Sequence, residues 1–151
     1  MDSADGPEQV QAAVAATAAT AGDTLPELFA RVRQVGVTLT VRHEGEPSDA
    51  GPDERAVLVT VTREMLTNAL RHGDRAAPVD VPLRWSGDGT LIRVRNRAGT
   101  GDDIGPGAGQ GIPGMRARLS RVGGTLGTAR EPGQDGGQDF VADAWVPARA
   151  A

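Results

Sequence analysis

The stretch from Glu54 to His72 constrains the fold more than any other part of the chain. Val57, Leu58, Val61, Met65, Ala69 and Leu70 recur at three- and four-residue spacing, which predicts one long helix with an apolar stripe, ended at Gly73. A stripe of that length must be covered. The segments that can pair into a covering sheet are Val37 to Val41, Val79 to Trp85, Thr90 to Asn96, Thr125 to Arg130 and Phe140 to Val146. Ser86-Gly-Asp-Gly89 joins two of them as a hairpin. Two shorter helices are predicted. Leu25 to Val35 has Pro26 in its first turn, Thr24 or Asp23 as cap and Gly36 as stop, and Ile112 to Val122 runs into Gly123-Gly124. The order αβαββαββ predicts an α/β (α+β) two-layer sandwich, with a mixed, mainly antiparallel sheet and helices on one face. Aromatic residues are only 3% of the chain, so Val, Leu, Ile and Ala must build the core.

The chain has 151 residues, enough for one domain. Residues 1–23 read as a flexible leader or a helix remnant, because the apolar residues there are nearly all Ala; residues 24–149 read as the folded domain. The net charge of −4 argues against a nucleic-acid partner. It does not exclude phosphate recognition, which backbone amides and one metal ion can supply. The absence of cysteine removes disulfides, thiolate metal sites and thiol catalysis. No apolar run reaches the length of a membrane span, so the expectation is a cytoplasmic domain without direct membrane contact.

Three features carry candidate chemistry. Glu64, Asn68, Arg71 and His72 fall on one face of the long helix, at offsets of zero, four, seven and eight. A carboxylate and a carboxamide one turn apart are hard oxygen ligands of the kind Mg²⁺ prefers, and Arg71 and His72 can meet phosphate oxygens; a polar helix border has the same pattern. Next, Gly105-Pro-Gly-Ala-Gly-Gln-Gly-Ile-Pro-Gly114 precedes a helix. Gly107, Gly109 and Gly111 would leave backbone amides open to an anion at a helix N-terminus, or form a plain surface loop. No Lys-Ser or Lys-Thr follows, which excludes a P-loop. Lastly, Asn96 ends a strand, where a carboxamide can pair with the edge of adenine or simply form a turn. His43, beside Glu44, reads as a surface histidine, and no Gly-x-Ser-x-Gly elbow is present.

Taken in order, these segments resemble the GHKL ATPase superfamily. Thr62-Arg-Glu-Met-Leu-Thr-Asn-Ala-Leu-Arg-His72 resembles its N-box, and Gly107-Ala-Gly-Gln-Gly-Ile-Pro-Gly-Met-Arg116 its second glycine box. Leu119-Ser-Arg-Val-Gly-Gly-Thr-Leu126 and the ending Ala144-Trp-Val-Pro147 are similar to sensor histidine kinases that work with NarL-type response regulators, and the entry segment Leu25 to Val37 is likewise typical. The resemblance spans residues 24–147. It implies the Bergerat ATP-binding fold, ATP and Mg²⁺ as cofactors, and phosphoryl transfer to a histidine. In that reading Glu64 holds and polarises a metal-bound water, Asn68 ligates Mg²⁺, and Arg71 and His72 approach the phosphates. Residues 97–109 form the ATP lid. Gly107, Gly109, Gly111 and Gly114 bring backbone to the phosphates, and Met115 belongs to the nucleotide site.

The chain departs from the pattern in three places. Asn96 aligns with the adenine-binding aspartate, Gln110 stands where His or Leu is common, and no phosphoacceptor H-box is present, so this segment does not phosphorylate itself. The resemblance therefore implies partners: a histidine-bearing dimerisation domain and a NarL-type response regulator, with the isolated domain a monomer. Two other functions fit less of the pattern: a serine kinase of the anti-sigma-factor class, and a degenerate nucleotide-sensing or interaction module.

Overall fold

The computed structural model of the protein describes residues 24–46, 51–73, 76–98, 111–133 and 136–148. The leader predicted for residues 1–23, most of the predicted lid, Gly107 and Gly109 lie outside the described residues.

The first helix, α1 (Leu25–Gln34), starts in a capping box. The Glu27 amide donates to Thr24 Oγ1 at 3.4 Å and the Thr24 amide donates to Glu27 Oε1 at 2.9 Å. Thr24 is thus the cap, and Gly36 ends the turn with φ +94°. Leu25, Leu28, Phe29 and Val32 are buried. Strand β1 is Leu39–Glu44, placed two to three residues later than the alternation predicts. Val37 packs against the core from the connection instead.

The long helix, α2 (Pro52–His72), begins two residues earlier than predicted, with Gly51 as N-cap and Pro52 opening the first turn. Leu58, Val61, Met65, Leu66, Ala69 and Leu70 are buried, while Val57 is only partly so. Leu66 is the addition to the predicted stripe. Thr62 is fully buried as well, and its hydroxyl donates to the Leu58 carbonyl at 2.6 Å.

Strands β2 (Val79–Ser86) and β3 (Gly89–Arg97) form the predicted hairpin. Then follow α3 (Gly111–Ser120), β4 (Thr125–Pro132) and β5 (Gln138–Pro147). The sheet order is β1-β2-β3-β5-β4. Only β1 and β2 pair in parallel; the other three neighbours are antiparallel. Val81, Leu83, Ile92, Val94, Ala142 and Ala144 on one sheet face share a single core with the stripe of α2 and with Met115 and Leu119 of α3. This is the expected two-layer α+β sandwich with a mixed, mainly antiparallel sheet.

Candidate functional site

The polar border of α2 meets the start of α3. Met115 and Leu119 lie one turn apart on α3, and their burial seats that helix on the core beside α2. The seat brings Gly111 against Glu64 and Asn68. A Cβ added to Gly111 would stand 3.3 Å from Asn68 Nδ2, 3.6 Å from Asn68 Oδ1 and 3.6 Å from Glu64 Oε2. A carboxamide and a carboxylate from α2 thus face the first residue of α3, whose amide end carries positive dipole. Both side chains are half-buried.

Asn96 sits deeper. It pairs across the sheet with Phe140 and is 5% exposed. Its Nδ2 donates to the Arg97 carbonyl at 3.1 Å, while its Oδ1 is buried without a hydrogen-bond partner. A buried acceptor left open is costly unless something that donates occupies the space before it. Asn96 shares a small cavity of about 10 Å³ with Met65, Asn68, Ile112, Met115, Thr128 and Phe140. That is room for about one water. A flat ring can enter only if rim side chains move. Gly73 leaves space for this amide, since a Cβ there would collide with Asn96 Nδ2 and the Ala69 carbonyl.

Glu64, Asn68, Gly111, Asn96 and Met115 are therefore gathered where α2, α3 and β3 meet. Arg71 is exposed near the C-terminal end of α2 and lines no part of the cavity. The backbone of His72 ends the same helix. Gly114 is exposed, and a Cβ there would meet nothing within 4 Å, so no close approach demands a glycine. His43 is remote from this cluster. It stacks on Trp85 with ring centroids 6.2 Å apart, and the Trp85 indole donates to His43 Nδ1 at 3.1 Å.

Several residues at the site escape the sequence reading. Arg118 Nη1 donates to Glu64 Oε1 at 3.2 Å, a bridge from α3 to α2. The signal is present in hindsight: Arg118 is seven residues beyond Gly111, two helical turns along one face. Phe140, Thr128 and Ile112 also line the cavity without having been singled out. Their approach depends on strand register and helix packing, which spacing along the chain does not contain.

Solved structures similar to this one include histidine kinases. The Acinetobacter baumannii histidine kinase AdeS matches with a TM-score of 0.59 and 13% identity, over 92% of this chain and 65% of that one. The mycobacterial sensor histidine kinase MprB matches with a TM-score of 0.57 and 15% identity, over 82% of this chain and 89% of that one. The fold is that of a histidine kinase domain. The histidine kinase domain from the Erythrobacter litoralis EL346 blue-light activated histidine kinase adds a TM-score of 0.53 and 19% identity, over 94% of this chain and 63% of that one. This chain thus spans just under two thirds of the AdeS and EL346 chains. No protein-family model and no curated protein matches it.

Proposed function

We propose that the chain binds MgATP as the catalytic domain of a two-component sensor histidine kinase and transfers the γ-phosphoryl group to a histidine outside this segment. The observation that carries the proposal is the convergence of Glu64 and Asn68 on Gly111, next to a buried, unpartnered acceptor on Asn96. The likeness of the fold to histidine kinases supports the same reading.

The residues fit the cofactor pair. Among the described residues no three His, Asp or Glu side chains gather as a metal cage. A cation held here would take few protein ligands and rely on phosphate and water oxygens, which is the habit of Mg²⁺. Asn68 Oδ1 and Glu64 Oε2 are the oxygens that would face it. When bound, Mg²⁺ neutralises the charge gathering on the phosphate oxygens. The chain's own part is positioning. The first amides of α3 would face the phosphates, and Asn96 Oδ1 would accept from the exocyclic amine of adenine. Gly107, Gly109, Gly114, Met115, Arg71 and His72 complete the proposed nucleotide site. In the transfer, an imidazole nitrogen of the acceptor histidine forms the new N–P bond while the bond from phosphorus to the β,γ-bridging oxygen breaks and ADP leaves with that electron pair.

A histidine-bearing dimerisation domain and a response regulator of the NarL type are the partners this reading requires, and the cytoplasm is its setting. No helix among the described residues is long and apolar enough to cross a membrane.

Calorimetric titration with a non-hydrolysable ATP analogue, with and without Mg²⁺, tests the proposal. Metal-dependent binding is expected, and Asn68→Ala should abolish that dependence while the fold remains intact. No binding at millimolar nucleotide would leave a non-catalytic interaction module as the reading.

A further inference from the structure

One oxygen of Glu64 is already engaged. Its Oε1 accepts from Arg118 Nη1 at 3.2 Å, while its Oε2 is the oxygen beside the gap that Gly111 leaves open. The side chains of Glu64 and Arg118 are 29% and 43% exposed, so each has enough water around it to swing away if the contact were lost. A carboxylate on its own turn of helix has several rotamers, and fixing one of them costs conformational entropy. A bond between the two helices removes that freedom before any ligand arrives.

The placement of Arg118 follows from the packing of α3. Side chains on a helix lean toward its N-terminus, so Arg118 reaches back along the face that carries Gly111 and Met115. Burial of Met115 and Leu119 fixes how that face is turned toward α2. The same helix that supplies the amide end at Gly111 therefore supplies the group that orients Glu64. Arg116, two residues earlier, points elsewhere and donates to the Leu126 carbonyl at 3.4 Å.

We propose that Arg118 is a positioning residue: by occupying Oε1 of Glu64 it keeps Oε2 turned toward Asn68 and Gly111, where the metal-bound phosphates of a nucleotide belong. The inference rests on the nucleotide-binding reading above. The guanidinium contributes orientation. Its charge is matched by the carboxylate it holds, so the pair is close to neutral and what it supplies to the site is orientation.

The test compares the affinity for ADP with and without Mg²⁺ by calorimetry, in the parent, Arg118→Ala, Arg118→Lys and the exposed control Arg121→Ala. The metal-dependent gain in affinity should fall by about fivefold in Arg118→Ala, the scale of one partly exposed charge-assisted hydrogen bond. Metal-free affinity should stay at the parental value. Arg118→Lys, with a shorter reach and no fork, should restore part of the gain, and Arg121→Ala should match the parent. A role confined to holding α3 in place would lower both affinities together, and that outcome overturns the proposal. So does an unchanged gain. A gain that rises would mean that Arg118 competes with the metal for Glu64, which also overturns it. If Arg118→Ala melts early, the Lys variant alone decides, by the same ratio. Should the parent bind no ADP under either condition, the nucleotide reading falls and this inference with it; metal-dependent binding by the parent upholds that reading whatever Arg118 does.

Discussion

The two ends of the Asn96 carboxamide have different surroundings. Nδ2 is committed to the Arg97 carbonyl, and Oδ1 is buried with no hydrogen-bond partner. Flipping the amide would set its oxygen against the Arg97 carbonyl oxygen, so the acceptor orientation is held by the backbone. An aspartate would perform differently here. One carboxylate oxygen would be buried without a partner as Oδ1 is now, but the other would stand against the Arg97 carbonyl with no proton between them. Asn96→Asp should therefore lower thermal stability, by about 1–3 kcal/mol, and weaken nucleotide binding. A charged acceptor ordinarily makes the stronger bond, so the opposite result is the natural rival. Calorimetry and a urea melt of the variant decide. Tighter binding by Asn96→Asp would show that the Arg97 contact does not hold the amide.

At the scale of elements, helices were easier to read than strand ends or side-chain partners. The stripe of α2 repeats over many turns, so its position is over-determined, and the glycines after each helix mark where it stops. Val37 is β-branched and in phase with the alternation, so the pattern predicts β1 too early. What places the strand is pairing: Leu39 opposes Val79, and a parallel partner has no hairpin to announce it. At the site, Glu64 and Asn68 were legible because they share a helix. The Arg118 bridge and the Phe140 wall were not, because both depend on how two elements pack. The junction from α3 to β4 shows how tightly packing constrains a single position. Gly124 donates to the Leu119 carbonyl at 2.7 Å, and a Cβ on it would collide with the Trp145 carbonyl. Gly124→Ala must push α3 away from β5, at a cost of roughly 1–3 kcal/mol. Leu66→Ala, at a fully buried position of α2, should cost about 2–5 kcal/mol. Denaturant melts check both. If Gly124→Ala melts like the parent, the junction is looser than its contacts indicate.

Across the whole molecule the two faces of the sheet are built on different physics. One buries aliphatic side chains under the helices. The other carries arginines and acids in cross-strand register: Arg93 opposite Asp143, and Arg97 opposite Asp139, with Arg95 reaching both Asp139 and Glu131. Val141 lies on this second face beside Arg95 and Ala129, yet it is 2% exposed. Arginine stems can shield an apolar side chain in this way while their heads stay paired. Hydrogen bonding to Asp143 raises Arg93 above the ordinary arginine pKa, and bonds to Asp139 and then Glu131 do the same for Arg95. For a group raised on folding, the stabilisation is complete below the unfolded value and is lost only as pH climbs past the folded one. These arginines therefore add no pH dependence near neutrality, and the face is better probed by substitution. Asp139, 15% exposed, joins two arginines that are each less than a third exposed, whereas Arg42 and Asp80 pair in the open at 3.6 Å. Removing Asp139 leaves partly buried guanidinium groups short of an acceptor. Asp139→Asn should cost about 1–2 kcal/mol, and the loss should persist at high salt. Asp80→Asn should cost less than about 0.5 kcal/mol, and that small loss should vanish with salt. Urea melts at low and high ionic strength separate the two. Equal losses that salt erases alike would mean that the ladder acts only as surface charge and does not help to bury Val141.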